Sequence, residues 1–178
     1  MNRRERRKNL KMLQEGLDRT IASRPCGECT ACCTALEVSE LKKPVGKPCH
    51  LLCETGCGVY PERPPSCKAY ICGWKMGFGL QDQRPDKIGI VMSPQPGTSP
   101  IHPGFVVHEC IDGAWERFDV QQLVRYVAQM FVLVLIRNGL PSKVLCPETR
   151  AAAVRAVIDD VKKEAAKAPL AGCGDDPS

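Results

Sequence analysis

The sequence predicts an α+β fold with a small, cysteine-rich, metal-organised N-terminal half that has few strands, and a helical C-terminal half. Three observations support this prediction: nine of the 12 cysteines lie within residues 25–73, β-branched runs follow them, and helical periodicity marks both ends of the 178-residue chain. A hydrophobic content of 43% with 25% charged residues is enough to bury a core. We divide the chain into a basic amphipathic helix (1–24), a cysteine-cluster segment (25–73), an α+β core-forming segment (74–168) and a disordered tail (169–178).

The first 24 residues form the predicted basic helix. Its apolar residues recur at helical spacing on one face, and the chain leaves the helical conformation before Pro25 (Leu10, Leu13, Leu17, Ile21). Eight basic and three acidic residues give this segment a charge of +5, which is the net charge of the whole chain. The remainder is neutral, so nucleic acid is not an expected partner. The helix could contact acidic lipid or RNA, but we favour a solvated helix that packs through its one apolar stripe.

The cysteine-cluster segment should contain little regular structure. We expect one strand at Thr34–Val38, where apolar and polar residues alternate, and a turn or two of helix. The segment lacks the apolar mass to fold by itself, so something other than a hydrophobic core must hold it.

Strands are predicted after this segment, at Lys87–Ser93 and Phe105–Cys110, with a Pro/Gly-rich loop at Pro94–Gly104 between them. Asp112-Gly113 then indicates a turn.

Two helices are predicted in the last third of the chain. The first covers Val120–Asn138, where Asp119 and Gln122 match a capping box and Gly139 and Pro141 follow the end. A strand at Met130–Ile136 is the competing interpretation, because that run is short and rich in Val, Ile and Leu. The second helix covers Pro147–Lys167.

The strongest signal for function is the run Cys26-Gly-Glu-Cys29-Thr-Ala-Cys32-Cys33. A C-x2-C turn brings two sulfurs to one point, and a third thiol can join them. The adjacent Cys32 and Cys33 point apart in most backbone conformations, so both are ligands only if they serve different metals or one metal in a strained loop. Eight or nine thiols therefore fit two four-thiolate sites, or one site with spare cysteines.

The cellular compartment decides between metal binding and disulfides. Charged residues occupy the N-terminal positions where a signal peptide would be apolar, and no apolar run is long enough for a membrane span. We therefore expect a cytoplasmic protein, where clustered cysteines bind metal more often than they form disulfides. A disulfide framework is the alternative if the chain is secreted.

Other cysteine chemistries fit the spacing less well. A redox C-x2-C motif needs a strand before it, where this chain has Pro25. Radical enzymes that use S-adenosylmethionine show C-x3-C-x2-C, whereas Cys49, Cys53 and Cys57 are spaced C-x3-C-x3-C. The second C-x2-C knuckle of a zinc ribbon is missing. We therefore favour an iron–sulfur cluster over zinc, because clusters tolerate irregular remote ligands.

A second motif, Cys57-Gly-Val-Tyr60-Pro-Glu-Arg63-Pro-Pro-Ser-Cys67 followed by Cys72, completes a resemblance. Together with CxxCxxCC and Cys49, it resembles the cysteine-cluster (YkgJ-type) family of zinc- or iron-chelating domains, which is related to flagellin N-methylase. The resemblance covers about residues 26–72. It implies the metal ligands Cys26, Cys29, Cys32, Cys33, Cys49, Cys57, Cys67 and Cys72.

Two functions follow from these observations. The first is a metal-binding protein whose site is structural or transfers electrons. The second, implied by the resemblance, is an enzyme of the flagellin lysine N-methylase type that modifies a protein; no catalytic residues are identified for it. The corresponding partners are a redox protein or a protein substrate. Arg63 could offset the negative charge of a thiolate site, or form a surface salt bridge.

Overall fold

The computed structural model describes residues 2–95, 104–138 and 140–167. Its helices are α1 (Arg3–Ser23), α2 (Ala31–Ala35), α3 (Pro65–Ala69), α4 (Pro85–Ile88), α5 (Phe118–Ala128) and α6 (Ala151–Lys167). Its strands are β1 (Leu52–Cys53), β2 (Gly56–Cys57), β3 (Ile90–Pro94), β4 (Phe105–Glu109), β5 (Leu133–Arg137) and β6 (Leu140–Leu145). Short 3-10 turns occur at Ser39–Leu41, Tyr60–Glu62, Ala114–Glu116 and Glu148–Arg150.

A mixed sheet with the strand order β3-β4-β5-β6 carries the main core. The outer pairs are antiparallel and the central pair, β4 with β5, is parallel. Parallel neighbours need a crossover connection, and α5 lies in it. The buried face of α5 belongs to one apolar cluster with β3, β4 and β5 (Val120, Leu123, Val124 and Val127 with Ile90, Val107 and Leu133). Apolar burial of this extent is what stabilises the sheet.

The α+β class is confirmed, but the C-terminal half is not purely helical. The predicted helix Val120–Asn138 was wrong beyond Ala128, because β5 begins at Leu133 and the competing strand interpretation of this run was right. Leu133 is fully buried next to β4, where a continuous apolar run suits a strand covered on both faces. The predicted capping box is also wrong: the cap residue is Arg117, which instead ion-pairs with Asp119 at 2.7 Å. β6 was not predicted.

The other predicted elements after residue 74 occur with shifted bounds. The strand predicted at Lys87–Ser93 begins only at Ile90, because α4 occupies the preceding residues and Gly89 ends it with a left-handed φ of 78°. The strand predicted at Phe105–Cys110 is β4, and the second predicted helix is the 3-10 turn at Glu148–Arg150 with α6. Residues 96–103 of the predicted loop and the tail at 169–178 lie outside the described residues.

Helix α1 forms as predicted, but most of its apolar stripe does not pack. Leu10 and Leu13 are 66% and 71% exposed, and only the last turns, with Leu17 and Ile21, are half-buried. The end of the helix is held by Arg24, whose guanidinium donates to the carbonyl oxygens of Trp74 (2.8 Å) and Gly79 (3.0 Å). The N-terminal half of α1 is therefore an exposed basic helix.

None of the helices in the described part of the chain combines the length and the apolar character that crossing a membrane requires.

Candidate metal centre

Helix α2 presents Cys32 and Cys33, and the strand predicted at Thr34–Val38 is wrong because α2 takes its first two residues. Ala31 and Ala35, one helical turn apart, are buried and belong to an apolar cluster with Val91 of β3. This packing favours a helix over the strand that the alternating residues predict. Val38 forms only an isolated bridge with Lys43. Consecutive helical residues diverge by about 100°. The two adjacent side chains therefore leave the axis of α2 in different directions, but their thiols are hydrogen-bonded to each other.

All eight cysteines implied by the resemblance line one cavity of about 980 Å³. They come from the C-x2-C turn, α2, the β1–β2 hairpin and the loops around them (Cys26, Cys29, Cys32, Cys33, Cys49, Cys57, Cys67, Cys72). Cys53 does not line it: its side chain is exposed and lies 3.4 Å from the Thr55 hydroxyl. The cavity thus separates these eight thiols from the others in the described part of the chain, Cys53, Cys110 and Cys146.

One group of thiols lies against the sheet. The amide of Cys29 donates to the carbonyl oxygen of Cys26 (3.0 Å), which closes the C-x2-C turn. Cys72 is buried in the apolar cluster that also contains Val91. Burial raises the pKa of the Cys29 thiol to about 11. The hydrogen bond to Cys33 raises the pKa of Cys32, and burial and the charges of the neighbouring thiols add to that shift.

A second group of thiols lies around Cys33. The amide of Cys49 donates to the carbonyl oxygen of Cys33 at 3.0 Å. The hydrogen bond from Cys32 lowers the pKa of the Cys33 thiol to about 7, and the charges of Lys43 and Arg63 act in the same direction against burial. Burial raises the pKa of Cys67, and the charges of Cys33 and Cys49 also raise it.

Lys43 is a feature of this site that the sequence analysis did not identify. Its side chain is only 4% exposed, and its ammonium donates to the carbonyl oxygens of Leu36, Thr34 (3.4 Å) and Pro44 (3.2 Å). Burial lowers its pKa, whereas nearby thiolates oppose that shift. A buried cation beside several thiols would offset negative charge there. No motif marks Lys43 in the sequence, because only the fold brings it to the cysteines.

We expected Arg63 either to offset the negative charge of a thiolate site or to form a surface salt bridge. Its arrangement fits the first expectation in part and does not fit the second. Its guanidinium lies 3.9 Å from the centre of the Tyr60 ring and donates to the carbonyl oxygens of Tyr60 (2.9 Å) and Cys67 (3.4 Å). Within the described residues it forms no salt bridge. Its contact is with the backbone of a candidate ligand, which positions the Cys67 loop and places positive charge close to the thiols.

Of the histidines, only His108 lines the cavity among the described residues. It is 8% exposed, and burial, followed by the charge of Lys43, lowers its pKa to about 4. His50 is exposed next to Cys49, and His102 lies outside the described residues.

The described residues contain no ready-made metal site. Nowhere in the ranges 2–95, 104–138 and 140–167 do three His, Cys, Asp or Glu side chains form a group that could hold a metal ion. The described cysteines are free thiols, and eight of them share a cavity wall. This donor set, thiols with nearby cations, is chemically suited to zinc or an iron–sulfur cluster, but the sulfurs would have to move together to bind it.

Comparisons with family models, with curated proteins and with solved structures found no match to this chain. The family resemblance therefore depends on the cysteine motifs alone.

Proposed function

We propose that this protein binds metal through the eight thiols of the cavity, and that the bound metal has a structural or electron-transfer role. The observation that carries the proposal is the shared cavity: the eight cysteines of the motifs, which span residues 26–72, all reach it. Scattered thiols with independent packing roles would not be expected to line one space.

The segment from Pro44 to Ile71 has no hydrophobic core of its own, so bound metal would stabilise it. Within the described range 2–95, no residue from Pro44 to Ile71 is buried. The regular structure there amounts to two-residue strands, one 3-10 turn and the five-residue α3. A short hairpin is at best marginally stable in water. Structural zinc contributes about 10–16 kcal/mol to the folding of small metal domains, which is the scale needed to hold such a segment.

Thiolate ligands suit both zinc and iron–sulfur clusters, and the irregular spacing of the remote cysteines favours the cluster. Lys43 and Arg63 would reduce the net negative charge that four thiolates leave on a divalent ion. The second candidate function, modification of a protein by an enzyme of the flagellin lysine N-methylase type, depends on the sequence resemblance, and we place it behind metal binding.

The test is metal analysis of protein purified without oxygen. A broad absorption band at roughly 400 nm together with bound iron indicates a cluster, and a colourless protein with bound zinc indicates a zinc site. Cys29→Ser and Cys67→Ser should lower the metal content, and Cys53→Ser, which changes an exposed thiol of the same segment, should not. Full metal retention in both ligand variants would overturn the proposal.

Removal of the metal should also affect two parts of the chain differently. Because metal binding and folding are coupled where no core exists, a chelator should remove hydrogen-exchange protection at residues 25–73. The sheet and α5 should keep much of theirs, since apolar packing holds them. Unchanged protection at residues 25–73 in metal-free protein would contradict the structural role.

A further inference from the structure

We propose that the exposed half of α1 (residues 3–15) attaches this protein to the surface of a membrane that contains anionic lipids. Every residue of this half is exposed, whereas the last turns of the helix are in part covered by the rest of the protein. The attachment is peripheral and electrostatic, and it is independent of the cysteine cavity.

The exposed half of α1 carries positive charge that its own acidic residues do not balance. It contains six basic and two acidic side chains. Both acids already have partners in the helix: Glu5 accepts a hydrogen bond from the amide of Asn2 (2.9 Å), and Glu15 lies 3.8 Å from Lys11. Among the described residues, that contact is the only ion pair of α1, so five basic side chains have none (Arg3, Arg4, Arg6, Arg7, Lys8).

These basic side chains repel one another along the helix. Arg3 lies one turn from Arg7, and Arg4 lies one turn from Lys8, a spacing at which like charges destabilise a helix. They also lie in the first turns of α1, where the helix dipole is positive and favours acidic residues. An anionic surface against these turns would remove both sources of repulsion.

The direction of the basic side chains leaves them accessible to a flat surface. The half-buried Leu17 and Ile21 mark the side of α1 that packs on the rest of the protein. At 100° per residue, Lys8 lies about 180° around the axis from Leu17, and Arg4 and Lys11 lie beside Lys8. These three cations therefore point away from the rest of the protein and can reach a bilayer without a clash.

Apolar side chains border this basic face. Met12 is 52% exposed and lies one turn after Lys8, and Leu10 is 66% exposed and lies one turn after Arg7. A membrane interface accepts both kinds of side chain, because phosphate groups pair with the cations and the acyl boundary takes up apolar groups. Clusters of about four to eight Lys/Arg on an amphipathic helix are typical of binding to anionic lipids.

Nucleic acid fits this helix less well. It offers phosphates but no apolar layer, and α1 has no aromatic side chain on which a base could stack. The chain after residue 24 has equal numbers of basic and acidic residues, so it adds no further basic surface for a long polyanion.

The experiment measures sedimentation of the full-length protein with vesicles at low salt. The protein should sediment with vesicles made of equal parts of phosphatidylcholine and phosphatidylserine, and it should stay in solution with phosphatidylcholine alone. High salt should release it, because the contacts are exposed and screened. The variant with Arg4→Gln, Lys8→Gln and Lys11→Gln should bind about 100-fold more weakly, since each basic residue near an anionic surface contributes about fivefold.

A matched control separates this face from net charge. Lys47→Gln, Lys87→Gln and Lys143→Gln together remove the same charge from exposed lysines elsewhere, and this variant should sediment as the wild type does. Circular dichroism should show that both triple variants keep their helical content.

Three results would overturn the proposal. The first is no sedimentation of the wild-type protein with the anionic vesicles, and the second is equal weakening in the two triple variants. The third is binding to a duplex RNA at protein concentrations that give no binding to vesicles, which would assign the basic face of α1 to nucleic acid instead.

Discussion

The sheet region and the segment Pro44–Ile71 differ in how much of their apolar surface is buried. In the sheet region, Leu133 and Val107 are fully buried and belong to a cluster of apolar residues from three strands and α5. In the segment, which lies wholly within the described range 2–95, no residue is buried and the longest helix has five residues. Both are ordered parts of the same molecule.

If the proposed metal binding is right, thiol ligands hold the chain where the apolar core ends. Of the candidate ligands in and beside the segment, only Cys72, at the border with the sheet, is buried. A substitution should therefore affect the sheet through lost packing and the segment through lost ligands. The four predictions below test this separation, beginning with the largest effect.

Truncation of the core should destabilise the protein most. Leu133→Ala removes a fully buried side chain from the central strand pair and leaves a cavity, so the free energy of unfolding should fall by about 2–5 kcal/mol. Denaturant titration measures this. Leu140→Ala removes the same atoms from a side chain that is 70% exposed, and it should change stability by less than about 0.5 kcal/mol. Equal effects of the two substitutions would contradict the placement of the core.

Acid should destabilise the border between the two regions through His108. Burial, with the charge of Lys43, holds the folded-state pKa of His108 at about 4, below the usual 6.5. The unfolded chain binds a proton between these values and the folded chain does not. This contribution to stability is therefore full above pH 6.5 and is lost as the pH falls toward 4.

The upper limit of this effect is about 3 kcal/mol. Unfolding titrations at several pH values should show a shallower decline in His108→Gln than in wild type over that window. Parallel declines would show that His108 does not carry the effect.

Crowding at Gly73, where the cysteine segment joins the sheet, should weaken the attachment of that segment. In Gly73→Ala the new Cβ would lie 2.9 Å from the Cβ of Met92, so the backbones must separate, at a cost of about 1–3 kcal/mol. Hydrogen exchange should rise first at residues near Cys72 and at β3. Unchanged exchange at both places would mean that the backbone at Gly73 accommodates the new Cβ without strain.

The smallest effect is expected in α1, at Gly16. Gly16 is a helical residue with open space around it, so Gly16→Ala should stabilise the helix locally by at most about 1 kcal/mol. Circular dichroism should show a gain in helical signal, while the denaturation midpoint of the sheet stays the same. A shift of that midpoint would show that α1 and the sheet unfold as one unit.

Long or strongly patterned features were predictable from the sequence. Helix α1, the strand beginning at Phe105 and helix α6 follow from periodicity and β-branched runs. The strand after Leu133 was ambiguous because a short apolar run fits a buried strand or a buried helix. Asn138-Gly139, between two apolar runs, is a hairpin signal that would have favoured β5 and β6.

Prediction failed where tertiary packing overrides local pattern. The alternating residues of Thr34–Val38 suggest a strand, yet burial of Ala31 and Ala35 on β3 selects a helix. For the candidate site, the spacing picked out eight cysteines that do line one cavity, but neither Lys43 nor His108 carries a local signal of its place there. His108 becomes a neighbour of the thiols only through contacts distant in sequence, whereas Lys43 lies between Cys33 and Cys49 in the sequence and is held there by the carbonyl oxygens of Thr34 and Leu36.

The dependence of α2 on β3 also imposes an order on synthesis. A ribosome makes the cysteines first, and the strand that supports α2 begins only at Ile90, 18 residues after Cys72. Cys33, Cys49, Cys57 and Cys67 are all synthesised before any strand of the sheet exists. For an interval of translation the nascent chain therefore exposes its thiols without an apolar wall, when they are most open to oxidants and to metal ions in the surrounding solution.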